Sequence, residues 1–242
     1  MPGKPLHKRP LKRVLIKISG QMLKKADNSL DGARLRTVAA QLKAVQALGV
    51  QVAVVMGGGN IVRGAHAAEK NAIERVTADH MGMLGTVING LALMDTLEKM
   101  NVETRVMSAI PMDRLAEPYI LRRATRHMDK GRIIILVAGT GNPYFSTDTA
   151  AALRGSEIDA DVLIKATNVD GIYDADPKKS KKAKRFDNIS FTQCIEKQLH
   201  VMDATAFTLC RENNLPILVI DLFEEGSLKK GVEGKKIGTL VS

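Results

Sequence analysis

The feature that most restricts the fold is residues 50–56, an apolar run broken only by Gln51 and closed by Gly57-Gly58-Gly59-Asn60. A strand with one wet face alternates apolar and polar side chains. A strand without that alternation is covered on both faces, as in parallel sheets flanked by helices. Residues 14–18 form a second β-branched run, closed by Ser19-Gly20, and further strands are predicted at 104–108, 132–138, 162–166 and 217–220. Helix-period segments lie between them. Residues 33–48 place Leu35, Val38, Ala39, Leu42, Val45 and Leu48 on one face, with Gly49 as the stop. A longer helix is predicted over 79–100, with Met83, Leu84, Val87, Ile88, Leu91 and Leu97 inward, and shorter ones near 147–155 and 204–213. This alternation predicts an α/β protein, a three-layer αβα sandwich around a mainly parallel sheet. No repeat or linker divides the chain, so residues 13–242 read as one domain behind a basic, disordered tail at 1–12. Residues 174–188 are the most polar stretch and are expected to form a mobile loop.

Charge bears on possible partners. The formal net charge is +10, from 36 Lys and Arg against 26 Asp and Glu. Five of the basic residues fall within 1–13 and six within 178–185; without those eleven the body holds 25 basic residues against 26 acidic ones. The excess therefore sits in one tail and one loop, and such runs are usually solvated. With three Tyr, five Phe and no Trp, a base-stacking platform is poorly supplied, so nucleic-acid binding through tail and loop is the lesser reading. No run of 18 apolar residues exists to form a membrane span, and no signal-like apolar stretch follows the basic start, so a cytoplasmic location is expected. Cys194 and Cys210 lie sixteen apart with no CxxC. They read as buried thiols of a reducing compartment, not as a disulfide or zinc site.

In open α/β sheets, ligands collect beyond the carboxyl ends of the strands, and four such ends carry unusual loops. Lys17-Ile18-Ser19-Gly20 sets an ammonium beside backbone N–H groups, which suits phosphate, although a Ser-Gly turn after a strand is common. Gly57-Gly58-Gly59-Asn60 lets the backbone approach an anion with no Cβ in the way. Neither loop is a P-loop or a G-x-G-x-x-G turn. Residues 139–148 concentrate glycines, hydroxyls and an amide between a buried strand and a helix; Asp148 there has a plain helix cap as its alternative reading. Lys165 ends an apolar strand, where an unpaired charge is expensive and a buried anion would compensate it. Together the loops point to a polyphosphate site.

These segments resemble the amino-acid-kinase superfamily, and within it the bacterial UMP kinases. The resemblance runs from about Lys12 to Ser242. It covers Lys17-x-Ser19-Gly20, Gly57-Gly58-Gly59-Asn60 with Arg63-Gly64, Asp79-His80-Met81-Gly82-Met83-Leu84, and Ser108-Ala109-Ile110-Pro111. It continues through residues 139–148, Lys165-Ala166-Thr167 and Asp170-Gly171. It implies the amino-acid-kinase fold and transfer of the γ-phosphoryl group of ATP to UMP in pyrimidine nucleotide biosynthesis. Lys17, Asp148 and Lys165 would be catalytic. ATP would meet Lys17, Ile18, Ser19, Gly20, Gly59, Arg63, Thr167, Tyr173 and Asp176. UMP would meet Gly58, Arg63, Asp79, Thr140, Gly141, Asn142, Pro143, Tyr144, Phe145, Ser146 and Thr147. A helix N-cap is the alternative role for Asp79. Mg²⁺ would arrive with ATP rather than on a protein-built metal site, and the chain would assemble as a homohexamer, with the 79–100 helix as a dimer face.

The sequence departs from the family's pattern in places. Gln21 stands where members usually carry Glu, and Asp27-Asn28-Ser29-Leu30-Asp31 replaces a glycine-containing segment before the first helix. Members use an Arg and a His on the long helix to contact the activator GTP, and the corresponding positions here are Met94 and Glu98, so GTP activation of that type is not expected. The rival readings are another acceptor within the superfamily, such as a carbamate or an amino-acid carboxylate, and a non-catalytic nucleotide- or anion-binding relative.

Overall fold

Residues 11–26, 30–62, 73–175, 177, 180, 182–199 and 202–242 are described in the computed structural model of the chain. Among the described residues nine strands form one sheet: β1 (Arg13–Ile18), β2 (Gln51–Met56), β3 (Thr104–Ser108), β4 (Glu117–Pro118), β5 (Ile133–Val137), β6 (Val162–Thr167), β7 (Asn188–Ile189), β8 (Ile217–Asp221) and β9 (Thr239–Val241). Their order across the sheet is β4-β3-β5-β2-β1-β6-β8-β9-β7. All neighbours run parallel except β8 and β9, so the sheet is mainly parallel with one antiparallel pair near its edge.

Seven α-helices cover the sheet among the described residues: α1 (Gly32–Gln46), α2 (Arg75–Lys99), α3 (Leu121–Asp129), α4 (Thr147–Glu157), α5 (Phe191–Glu196), α6 (Ala204–Glu212) and α7 (Ser227–Val232). Successive strand residues point to opposite faces. Val14, Ile16 and Ile18 of β1 accordingly join one core with α1, α2 and α7. Leu15 joins a second core with α3, α4, α5 and α6. Strand β6 divides in the same way, with Val162, Ile164 and Ala166 on the first face and Leu163 on the second. Two helical layers therefore enclose the sheet, as the unbroken apolar strands predict.

Several boundaries and directions differ from the sequence reading. The predicted first helix ends at Gln46, and Leu48, expected inward, lies in the following turn and is 42% exposed. Helix α2 starts four residues earlier than expected, at Arg75. Met83, Val87 and Leu97 are buried, but Leu84 and Ile88 are 52% and 47% exposed. Apolar residues occupy more than one face of this helix, so periodicity alone could not say which face meets the sheet. Strand β4, β7, β9 and helices α3, α5 and α7 were not predicted. Most are too short to show a period, and α3 buries only Ala124 and Met128 beneath an arginine-dense surface.

The packed body also begins before residue 13. Leu11 is buried, and Lys12 N donates to Asp161 Oδ2. Residues 1–10 of the tail, Lys178, Lys179 and Lys181 of the basic loop, and Asp27, Asn28 and Ser29 lie outside the described residues. The stem of the 174–188 segment is closed by a backbone bond from Asp174 N to Lys184 O, a bond from Lys184 N to Asp174 Oδ1 and an isolated bridge between Tyr173 and Arg185. Cys194 and Cys210 are free and buried, and burial pushes their thiols up to about 11 and about 12, respectively.

Candidate active site

The parallel pairing of β1 and β6 aligns Lys17 with Lys165. Each stands two residues beyond Leu15 or Leu163, so both face the second core and the N-terminus of α4. That N-terminus is capped by Ser146, whose hydroxyl accepts from Asp148 N and Thr149 N. The Asp148 carboxylate is thereby free of capping duty, which removes the plain-cap reading. It lies between the two lysines, with Lys17 Nζ at 2.7 Å from Oδ1 and Lys165 Nζ donating to Oδ2 at 2.8 Å. The Lys17 contact is an ion pair without hydrogen-bond alignment at Oδ1.

All three side chains are at most 15% exposed. Burial works to raise the Asp148 carboxyl, but the two ammonium groups overrule it and hold it below the usual carboxylate range. Burial depresses the Lys165 ammonium; Asp148 opposes that shift and Lys17 adds to it. The anion that Lys165 demanded in the sequence is thus partly internal. Asp203 also acts on the Lys165 ammonium, so two lysines and two carboxylates meet at the carboxyl edge of the sheet, where ligands of open α/β sheets collect.

Beside this cluster lies a pocket of about 290 Å³, between the N-terminal half of α2 and the loop after β5. Of the residues assigned to UMP by resemblance, Gly58, Asp79, Thr140, Asn142, Tyr144, Phe145, Ser146 and Thr147 line it, and so does Gly59. Gly141 and Pro143 are not on its wall; Gly141 instead packs its backbone against Ala109, at φ +82. Arg63 lies outside the described residues. Asp79 is in the second turn of α2, not at its N-cap, which Glu74 occupies. Its Oδ2 accepts from Tyr144 N at 2.8 Å and from Arg75 Nε at 2.9 Å. Thr86, two turns further along α2, accepts from Ala138 N at 2.7 Å. One helix therefore pins both ends of the 138–144 loop, where Ala138 and Tyr144 hold positive φ.

The floor of the pocket gives the glycines another role. A Cβ on Gly58 would stand 2.4 Å from Gly82 O and 2.7 Å from Thr86 N, and one on Gly57 would stand 2.9 Å from Gly20 N. Close packing of backbone on backbone thus accounts for two glycines of the Gly57–Gly59 run without any ligand. Asn60 and Asn89 exchange side-chain hydrogen bonds beneath this floor, and Asn89 also donates to Gly57 O. Gln21 donates to Gly59 O, a role for its amide that a carboxylate would not fill.

On the other side of the lysines, Ile18 ends β1, and Ser19 and Gly20 begin a single 3-10 turn. Thr167 ends β6, with its hydroxyl accepting from Val169 N and donating to Val169 O. Tyr173 donates its hydroxyl to Asp170. Asp176 lies outside the described residues. Sequence reasoning passed over Arg75, Val62, Gly82, Met83, Thr86 and Gly139 as pocket walls. Arg75 had a usable signal: it stands four residues before Asp79, the spacing of an ion pair on a helix.

An α/β sheet whose carboxyl edge brings two lysines and a carboxylate beside a glycine-floored pocket makes this edge the candidate active site of an enzyme. Residues 12–221 match the amino acid kinase family, and the chain belongs to that family. Among solved structures it is similar to the UMP kinase from Bacillus anthracis, with 41% identity, 97% of each chain covered and a TM-score of 0.94. It is similar also to the UMP kinase from Ureaplasma parvum, with 40% identity, 97% of this chain and 100% of that one covered, and a TM-score of 0.90. The uridylate kinase from Archaeoglobus fulgidus is more distant, with 27% identity, coverage of 96% and 100%, and a TM-score of 0.70.

Proposed function

We propose that the chain is an ATP-dependent UMP kinase, converting UMP and ATP to UDP and ADP in pyrimidine nucleotide biosynthesis. The observation that carries this reading is the Lys17–Asp148–Lys165 cluster beside a pocket walled by Asp79 and the 139–147 loop. The likeness to two UMP kinases at about 40% identity supports it. ATP would lie over the ends of β1 and β6, meeting Ser19, Gly20, Gly59, Thr167, Tyr173 and Asp176. UMP would occupy the pocket, with its ribose on Asp79 and its phosphate toward Gly58 and Arg63.

The chemistry needs little beyond charge and position. A phosphate monoester loses its second proton near pH 6, so UMP is already a nucleophile near pH 7 and no general base is required. The barrier is repulsion between anions and the placing of the attacking oxygen in line. Lys17 and Lys165 would stabilise charge on the transferring group and the leaving oxygen, and Asp148 would hold both lysines in place. Among the described residues no cluster of three His, Cys, Asp or Glu is placed to hold a metal, and both Asp148 oxygens already face ammonium groups. The Mg²⁺ of this reaction would enter on the phosphates of ATP.

Met81, Leu84 and Ile88 on the open face of α2 support self-association, and we assign the chain to a homohexamer. Among the described residues no helix is long and apolar enough to cross a membrane, and we place the enzyme in the cytoplasm. A coupled phosphoryl-transfer assay offering UMP, CMP, dUMP and N-acetylglutamate tests the reading. UMP should be the preferred acceptor, and dUMP should fall far behind, because a site built to pair a hydroxyl rejects the analogue lacking it. Equal kcat/KM for UMP and dUMP, or preference for the carboxylate, would overturn it.

A further inference from the structure

We propose that Arg75 is a positioning residue that sets selectivity for the acceptor's ribose by holding the Asp79 carboxylate in one orientation. This inference rests on the reading of the pocket as the UMP site. Arg75 and Asp79 are one helical turn apart on α2 and both line the pocket. Arg75 Nε and Tyr144 N both bond to Oδ2 of Asp79, at 2.9 and 2.8 Å. Among the described residues, every hydrogen bond to this carboxylate falls on Oδ2. Oδ1 is thereby left to a ligand, on a group that two donors prevent from rotating.

The same guanidinium lies 5.4 Å from the centre of the Tyr144 ring, within cation–π range. Tyr144 is 65% exposed at the rim and holds φ at +70, a backbone state that a residue with a Cβ adopts only when its surroundings impose it. Arg75 thus acts twice on the rim: through Asp79 on the Tyr144 amide, and through the ring directly. The Asp79 side chain is 13% exposed and that of Arg75 42%. The carboxylate is therefore shielded enough to bond strongly, while its partner reaches it from the solvent side. A ribose diol arriving at Oδ1 finds its acceptor already aimed, so the ordering cost falls before binding rather than during it. A 2′-deoxy acceptor keeps only the 3′-hydroxyl of that diol and gains less from the alignment, which is why the arrangement discriminates between the two sugars.

The experiment compares kcat/KM for UMP and dUMP in the parent enzyme, Arg75→Ala, Arg75→Gln and Asp79→Ala, with a melting curve for each. Arg75→Ala should lose about five- to tenfold of the UMP-over-dUMP preference, mainly as a higher KM for UMP, with kcat at saturating UMP within about threefold of the parent. Arg75→Gln keeps a donor of similar reach and should recover part of the preference. Asp79→Ala should abolish most of it. An Arg75→Ala enzyme that discriminates as the parent does overturns the proposal, and so does one that loses UMP and dUMP turnover in equal proportion. Should Arg75→Ala not fold, the Gln variant decides on the same ratio. A parent enzyme that does not discriminate at all refutes the UMP-site reading instead, so the two failures are distinguishable.

Discussion

Asp148→Asn isolates what the central carboxylate does, because the substitution keeps the side-chain shape and removes the charge. In the parent, Lys17 and Lys165 stand 2.7 and 2.8 Å from its two oxygens. Without the charge, two poorly hydrated ammonium groups face each other, and breaking a buried pair in this way costs about 3–5 kcal/mol. That loss has a ceiling, since one lysine can release its proton. From the ordinary lysine value of 10.5, release near pH 7 costs about 4.8 kcal/mol, at about 1.36 kcal/mol per pH unit. The ceiling therefore falls as pH rises.

Lys165 already sits below its ordinary value through burial, with Asp148 and, more weakly, Asp203 opposing that shift, and the substitution removes the stronger of the two. A group whose folded pKa lies below its unfolded one makes the protein more stable as pH rises, fully so only above the unfolded value. The variant should accordingly trail the parent most near pH 7, by roughly 6–19 °C in Tm for a chain of this size, and close much of the gap by about pH 9.5. Melting curves for both proteins across that range are the assay, and a constant gap would refute the reasoning. Activity provides a second check. The lysines hold Asp148 ionised, so the acid limb of kcat near pH 6 belongs to substrate phosphate. The variant should be slower at every pH with that limb unmoved; a limb that vanished would make Asp148 a proton acceptor.

Lys17→Ala and Lys165→Ala should each lower kcat by about 10²-fold or more if the ammonium groups act on charge developing in the transition state; a change confined to KM would restrict them to ground-state binding. Gly58→Ala should destabilise the protein by about 1–3 kcal/mol and raise the acceptor KM, since its methyl group meets backbone that has no rotamer to yield. Gly32→Ala, whose Cβ would have 3.6 Å to its nearest neighbour, is the control, and equal denaturation midpoints for the two variants would sink the packing account of the glycine run.

The sheet was legible because strands covered on both faces write their position as unbroken apolar runs: β3 was predicted to the residue, and β2, β5, β6 and β8 within one. The lysines were legible as charges at the ends of such runs. Their meeting was not, because it depends on the register of β1 against β6 and on where α4 begins, and neither is written in local sequence. Starting α2 at Asp79 instead of Arg75 had a specific cost: it hid the Arg75–Asp79 turn and left a cap as the rival role for Asp79. Thr86 was hidden for a related reason, since only the packing of α2 on the 138–144 loop turns an ordinary helical threonine into an acceptor for Ala138.

The backbone-on-backbone floor beneath the pocket restricts how acceptor preference can be engineered or can drift. A Cβ on Gly57 would meet main-chain atoms of Ile18, Ser19 and Gly20, and one on Gly58 those of Gly82, Gly85 and Thr86, so no side-chain library at those two positions can reshape the floor without first moving the turn after β1 or α2. The adjustable surface is the opposite wall, where Tyr144, Phe145 and Arg75 stand partly in solvent and a substitution need not disturb the core. A search for variants that accept a different pyrimidine or sugar belongs on that wall, with the two glycines held fixed.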